Sequence, residues 1–386
     1  MIPYARQEIT DEDIKEIEKV LRSDFLTQGP RVPKFEKSVS NYCGVNYAFA
    51  VTSATSALHI ACLALDLAPG DLLWTSPNTF VASANCGRYC GAEIDFVDID
   101  PKTYNMSVDK LSEKLIRAEK IGKLPKIVIP VHFAGQPCDM TTIHTLSKRY
   151  GFKIIEDASH AIGASYNKIK VGSCTHSDIT VFSFHPIKII TTAEGGMALT
   201  NDIKIAKKIS RFRSHGITSD KNEMKYRPEN EIWNYQQFDL GFNYRMNEIQ
   251  AVLGLNQMSR LEKYVNRRHE IAKRYNNELK NLPYITPWQS PEVFSSYHLY
   301  PVLIGKNFKN KTQRQVYDEL RENEIGVNIH YIPVHRQPYY ENLGFKKNDF
   351  PEAEKFHRLV LSLPMYASLT PEKQNTVIEA LKLATH

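Results

Sequence analysis

Short apolar runs alternate with helically spaced stretches through the first half of the chain. The runs at residues 47–52, 72–75, 94–98, 126–132, 153–157, 179–184 and 196–200 predict strands. Between the earlier ones, residues 55–65, 80–90, 108–118 and 140–149 carry apolar side chains at helical spacing, and residues 11–21 form an opening helix. Strand and helix in turn predict an α/β domain whose mostly parallel, seven-stranded sheet is covered on both faces. The pattern changes after about residue 245. One long helix over 247–279 is followed by strands at 297–304 and 326–331 and helices at 311–321 and 352–359. The chain therefore divides into a large α/β domain, 1–245, and a smaller C-terminal α+β domain, 246–386.

Composition narrows the class. With 42% hydrophobic and 24% charged residues among 386, the chain has ordinary globular composition. No apolar stretch approaches the roughly 20 residues that span a bilayer, and the start Met1-Ile2-Pro3-Tyr4 lacks a signal-peptide pattern. Six scattered cysteines, none at zinc-site spacing, agree with a reducing compartment, so a cytoplasmic protein without disulfides is expected. A net charge of +6 spread along the chain favours a small anionic ligand over nucleic acid.

Ligands of parallel α/β sheets gather at the carboxyl ends of the strands. Three polar segments stand at such ends. Ile154-Ile155-Glu156-Asp157-Ala158-Ser159-His160 is an apolar strand ending in two carboxylates. Asp157 reads alone as a helix cap, or as the anionic partner of a cationic ring nitrogen. In Ser183-Phe184-His185-Pro186-Ile187-Lys188, an apolar loop desolvates a lysine, which lowers its pKa and makes the amine nucleophilic. A snorkelling surface lysine is the competing reading. Ser53-Ala54-Thr55-Ser56 is a strand-to-helix turn that either caps the helix or offers its free N–H groups to a phosphate. Phe80, opening the next helix, is a core aromatic or a lid over a flat ligand.

Taken in order, these segments resemble the nucleotide-sugar aminotransferases of the DegT/StrS type, with pyridoxal-phosphate (PLP) fold type I, along essentially the whole chain. The resemblance rests on Leu26-Thr27-Gln28-Gly29, Phe35-Glu36, the turn at 53–58, Thr79-Phe80-Val81-Ala82 and Glu156-Asp157-Ala158. It continues through Lys188 with Glu194-Gly195-Gly196, Arg213-Ser214-His215-Gly216 and Gly241-Phe242-Asn243-Tyr244-Arg245-Met246-Asn247-Glu248. Within the family the wording is closest to the aminotransferases of pseudaminic acid biosynthesis. Phe184-His185-Pro186-Ile187-Lys188, Ile190-Thr191-Thr192 and His298-Leu299-Tyr300-Pro301 carry that likeness, and Ile189 departs from it where proline is usual.

The resemblance implies PLP as cofactor, with Lys188 as its covalent holder and proton shuttle. It implies Asp157 at the ring nitrogen, His160 near the ring oxygen, Phe80 over the ring face, and Ala54, Thr55 and Ser183 on the phosphate. Asn243 would complete the phosphate site of a second copy, which makes a homodimer. Tyr4, Phe25, Thr27, His330, Tyr331 and Tyr340 would line the sugar-nucleotide pocket. His330 and His335 have no carboxylate at metal-ligand spacing, so no metal is expected. The implied reaction moves an amino group from an amino acid, by resemblance L-glutamate, to the C-4 ketone of a UDP-linked 4-keto-6-deoxy-N-acetylhexosamine. The alternatives are another UDP- or dTDP-keto sugar, or a sugar dehydratase, which in this family has histidine in place of the lysine.

Overall fold

The computed structural model describes residues 1–226, 230–305, 308 and 311–385. Its large sheet has seven strands: β1 (Tyr47–Val51), β2 (Leu72–Thr75), β3 (Glu93–Phe96), β4 (Ile127–Ile129), β5 (Lys153–Asp157), β8 (Ile179–Ser183) and β9 (Gly196–Thr200), with a small hairpin, β6 (Ser165–Tyr166) and β7 (Ile169–Lys170), between β5 and β8. Their spatial order is β1-β9-β8-β5-β4-β2-β3. All neighbours from β8 through β5, β4 and β2 to β3 pair in parallel. Only β9 runs the other way, antiparallel to both β1 and β8. β4, β8 and β9 are buried at every residue, as interior strands covered on both faces must be. The edge strands β1 and β3 alternate between buried and partly open positions.

Alternate side chains of the strands feed opposite layers. Val51, Leu73, Ile94 and Val181 join one core, built with α3 (Ala54–Ala64), α4 (Ala82–Tyr89) and α7 (Ile203–Phe212). Trp74, Val128 and Ile154 turn to the other face, where α5 (Val108–Lys120) and α6 (Met140–Tyr150) cover them. On that second face, α2 (Arg31–Cys43), α8 (Glu248–Met258) and the start of α9 (Leu261–Leu279) cover Ala50, Phe182 and Met197. The opening helix α1 (Asp11–Leu21), closed by a capping box between Thr10 and Asp13, packs on α8.

The single helix expected over 247–279 is two helices. The first stops at Ser259 and Arg260, where the ladder tightens and the Arg260 guanidinium leaves to grip buried Asp13 through two 2.7 Å bonds. α9 then crosses between cores: Leu261, Tyr264 and Val265 pack with α2 and β8, whereas Ile271, Tyr275 and Leu279 pack in a C-terminal cluster. That cluster is built on a three-stranded antiparallel sheet of β12 (Tyr284–Ile285), β14 (Tyr300–Ile304) and β15 (Val360–Leu363), with α10 (Gln313–Glu322) and α13 (Pro371–Leu383). Two short helices, α11 (Pro338–Glu341) and α12 (Pro351–His357), lead into β15. A short β13 (Val293–Phe294) pairs with β6, and β10 (Ile217–Thr218) pairs with β11 (Gln236–Gln237).

Two expected strands change. The one at 297–304 begins only at Tyr300, because Ser296 and Leu299 donate their N–H groups to Gly135 and Ala134 in a loop of the large sheet. Residues 326–331 form no strand beyond a single bridge between Asn328 and Ser362, and instead turn toward the carboxyl edge of the large sheet.

Candidate active site

A cavity of about 390 Å³ opens at the carboxyl edge of that sheet. Three strand ends and one loop feed it. β1 leads into α3 at Ala54 and Thr55, β5 ends at Asp157, β8 ends at Ser183, and the β8–β9 loop carries Lys188. Phe80 lies across its mouth, 59% exposed, between β2 and α4. From the N-terminal segment comes Tyr4, and from the C-terminal part come Asn328, His330 and Tyr331. The sequence thus places Ala54, Thr55, Phe80, Asp157, His160, Ser183, Lys188, Tyr4, His330 and Tyr331 around one space.

The remaining expected residues lie elsewhere. Tyr340 is a correction: it is 1% exposed in the core, its ring on Phe96 and its hydroxyl donating to Asn85 Oδ1 at 2.7 Å. Phe25 and Thr27 stand outside the cavity of their own chain. They sit on an exposed strap between α1 and α2, tied down where Glu248 N–H donates to the Leu26 carbonyl, and they do not line the cavity. Asn243 is exposed and bridged to Ser214, outside the cavity of its own chain.

The loop that holds Lys188 is a closed turn. Phe184 N–H donates to the Gly195 carbonyl and Thr192 N–H to the Phe184 carbonyl, at 2.9 and 3.0 Å, while the Thr191 hydroxyl also reaches Phe184. Ile189 and Ile190 are buried and anchor the loop in the core below. Surrounded by protein, the Lys188 ammonium is poorly solvated, and its pKa falls to about 8 although the Asp157 carboxylate pulls upward. The ammonium is still the major form near neutral pH, but the neutral fraction is far larger than that of a lysine with the ordinary value of about 10.4.

Asp157 is fixed from two sides. Ser83 on α4 donates its hydroxyl to Oδ2 at 2.6 Å, and Ser159 N–H reaches Oδ1 at 3.1 Å. His160 accepts the Ala134 N–H on Nδ1 at 3.3 Å, so its proton belongs on Nε2, which faces the Tyr331 hydroxyl at 3.2 Å. Burial first, then the charge of Lys188 and neighbouring His330, hold the His160 pKa well below the usual histidine range. Burial brings His330 to about 3. His298, whose ring centroid is 4.4 Å from that of His160, is likewise depressed by burial. The imidazoles around the amine are neutral.

At α3 the Ser53 hydroxyl accepts from Ser56 N–H, while Ala54 and Thr55 N–H groups, in the first turn, have no intrahelical acceptor. Gly196 passes against this turn so closely that a Cβ there would overlap Ser53 and the Ala54 nitrogen. A free helix N-terminus, a hydroxyl at Ser183, a carboxylate fixed at the cavity wall and a partly neutral amine fit pyridoxal phosphate: phosphate, ring nitrogen and aldehyde each meet a group of matching chemistry. Among the described residues no cluster of histidine, cysteine or carboxylate side chains could hold a metal. Ser83, Asn328 and His298 escaped the sequence reading of the site. Ser83 is one of many small residues in a helix, and only the position of Phe80 one turn earlier pointed toward it.

The family model for DegT/DnrJ/EryC1/StrS aminotransferases matches residues 7–382. The spore coat polysaccharide biosynthesis protein SpsC of Bacillus subtilis is 37% identical over 384 residues, 99% of this chain and 96% of that protein. The UDP-4-amino-4,6-dideoxy-N-acetyl-beta-L-altrosamine transaminase of Campylobacter jejuni is 34% identical over 383 residues, 99% of this chain and 96% of that one. Among solved structures, Helicobacter pylori PseC, an aminotransferase involved in the biosynthesis of pseudoaminic acid, superposes with a TM-score of 0.88 at 31% identity, covering 99% of this chain and 98% of that one. A putative sugar aminotransferase of Streptococcus pneumoniae, solved in its PMP and PLP forms, gives TM-scores of 0.89 and 0.88 at 28% and 27% identity, covering 100% of this chain and 99% and 98% of those chains.

Proposed function

The chain belongs to the DegT/DnrJ/EryC1/StrS aminotransferase family, and on that premise we propose that it aminates the C-4 ketone of a UDP-linked 4-keto-6-deoxy-N-acetylhexosamine, with L-glutamate as donor. It is a PLP-dependent sugar aminotransferase of fold type I. The observation that carries the site is the convergence of Lys188, Asp157 and the start of α3 on one cavity. Bound PLP supplies the carbonyl that exchanges oxygen for nitrogen and a ring that draws electrons from the carbon losing its proton.

The protein's own groups do the rest. Ala54 and Thr55 N–H groups and the Ser183 hydroxyl would hold the phosphate, and Asp157 would keep the ring nitrogen protonated. Phe80 would cover the ring, and neutral His160, its Nε2–H directed at the Tyr331 hydroxyl, would stand near the ring oxygen. Lys188 would take the proton from the donor's α-carbon and return it to the carbon on the far side of the transferred nitrogen; a pKa of about 8 suits an amine that must gain and lose a proton near neutrality. Tyr4, His330 and Tyr331 form the sugar side of the pocket.

The altrosamine-type sugar of pseudaminic acid synthesis is the proposed acceptor, UDP-4-keto-6-deoxy-L-AltNAc. Support comes from the Campylobacter and Helicobacter relatives and from the Phe184–Lys188 wording. A second reading, another UDP- or dTDP-keto sugar, is favoured by the higher identity to SpsC. A dehydratase is disfavoured by Lys188. Incubation with a panel of UDP- and dTDP-4-keto sugars and glutamate, with products read by NMR, decides. Nitrogen appearing only on a dTDP sugar would overturn the acceptor assigned here.

The active form is proposed to be a cytoplasmic homodimer. Six free cysteines support the compartment. Exposed Trp233, Tyr235 and Leu240 beside exposed Asn243, with Phe25 on the N-terminal strap, support a second copy that brings Asn243 to the phosphate and Phe25 and Thr27 to the sugar pocket.

A further inference from the structure

We infer that Ser83 is the positioning residue of the carboxylate facing the cofactor ring, with Thr79 holding Ser83 in turn; the inference rests on Asp157 as the ring-nitrogen partner. Ser83 is fully buried on α4, and its Oγ stands 2.6 Å from Asp157 Oδ2. That is the length of a hydroxyl donating to a charged oxygen. Its other acceptor, the Phe80 carbonyl, is at 3.4 Å. A hydroxyl has one proton to give. Since Ser83 spends it on Asp157, the 2.8 Å contact between Thr79 Oγ1 and Ser83 Oγ is a donation from Thr79. The chain Thr79 to Ser83 to Asp157 is directional and buried, where such bonds polarise one another.

The geometry gives this chain a specific effect. Ser83 takes a lone pair on Oδ2 and Ser159 N–H takes one on Oδ1, so the carboxylate plane is set before the ring arrives. The same turn of chain that sets Phe80 over the cavity therefore sets Asp157 within it, because Phe80 and Ser83 are one helical turn apart. Without Ser83, Asp157 keeps one donor and can rotate about its side-chain bond, losing alignment with the ring nitrogen.

The test combines Ser83→Ala, the near-isosteric weak donor Ser83→Cys, Asp157→Asn and the double variant Ser83→Ala/Asp157→Asn. PLP affinity is measured by titrating apo protein, kcat and donor KM by initial rates, and Tm by calorimetry. One lost hydrogen bond to a charged group corresponds to about a tenfold effect. Ser83→Ala is expected to bind PLP about tenfold more weakly and to lose about tenfold in kcat, with donor KM unchanged, and Ser83→Cys to fall between. Adding Ser83→Ala to Asp157→Asn should cost nothing more in PLP affinity. Wild-type affinity and kcat in Ser83→Ala, a loss confined to Tm, or full additivity in the double variant overturns the role of Ser83. If Asp157→Asn itself keeps wild-type affinity and turnover, the reading of Asp157 fails instead.

Discussion

The Tyr331 hydroxyl meets His160 Nε2 at 3.2 Å, and this contact joins the segment after Asn328 to the loop that follows β5. The two residues are far apart in sequence, and His160 is held independently by Ala134 N–H on Nδ1 and by the Ser296 hydroxyl on its carbonyl. Replacing Tyr331 by Phe removes the bond and leaves the ring. The expected result is a loss of roughly 1 kcal/mol at the site, seen as a several-fold fall in kcat/KM with Tm lowered by no more than a few degrees. Unchanged kinetics would mean that His160 needs no partner on that side.

Capture of PLP by the apo protein should follow the neutral fraction of Lys188. Below its pKa of about 8 the rate climbs with pH, and above it the rate levels off. Asp157 is the group that holds this pKa up against burial, so Asp157→Asn should move the midpoint lower. Stopped-flow absorbance across pH 6–10 (~0.5 unit steps) reads both; a midpoint near the ordinary lysine value of about 10.4 would contradict the desolvated setting.

Gly196→Ala should damage the phosphate end selectively. The added methyl would overlap the Ser53 backbone and the Ala54 nitrogen, so the β1–α3 turn must shift. We expect PLP affinity to fall by more than about tenfold, equivalent to roughly 1.4 kcal/mol, measured by equilibrium dialysis, while the far-ultraviolet circular dichroism stays that of the wild type.

Arg268 offers a stability prediction. It is buried on α9 and donates through Nη1 to the carbonyls of Tyr297, His298 and Met365 at 3.0–3.2 Å. Burial brings its pKa down to about 10, still high enough to keep the charge near neutral pH. Arg268→Leu leaves three acceptors without their donor and should cost about 2–4 kcal/mol, read by urea denaturation. Arg268→Lys restores part of this because an ammonium can serve the same carbonyls.

Much of this architecture is legible along the chain, for reasons that particular segments make plain. Ile127-Val128-Ile129 and Ile179 to Ser183 are continuous apolar runs, so their burial on both faces could be read directly. Asp157 and Lys188 stood out because charge beside such runs is costly. Tyr340 could not be separated from a pocket residue, since whether a tyrosine finds Asn85 or open space depends on packing remote in sequence. The break at Arg260 was equally hidden, because its cause, Asp13, lies on the other side of the fold. Neither α2 nor α7 is among the predicted helices, although the signal is present in the sequence: α7 is strongly amphipathic and opens on an Asp202 cap, and α2 ends at Gly44.

Because β9 alone runs against its neighbours, the strand before the lysine loop and the strand after it open on the same edge of the sheet. The segment between Phe184 and Gly195 is thus clamped at its two ends by one pair of adjacent strands and takes part in no crossover, while Ile189 and Ile190 root it in the core. A substitution such as Ile189 therefore changes the floor on which the loop rests and leaves the strand pairing untouched. In such a layout the amine's position is set jointly by one pair of strands and by the core beneath them.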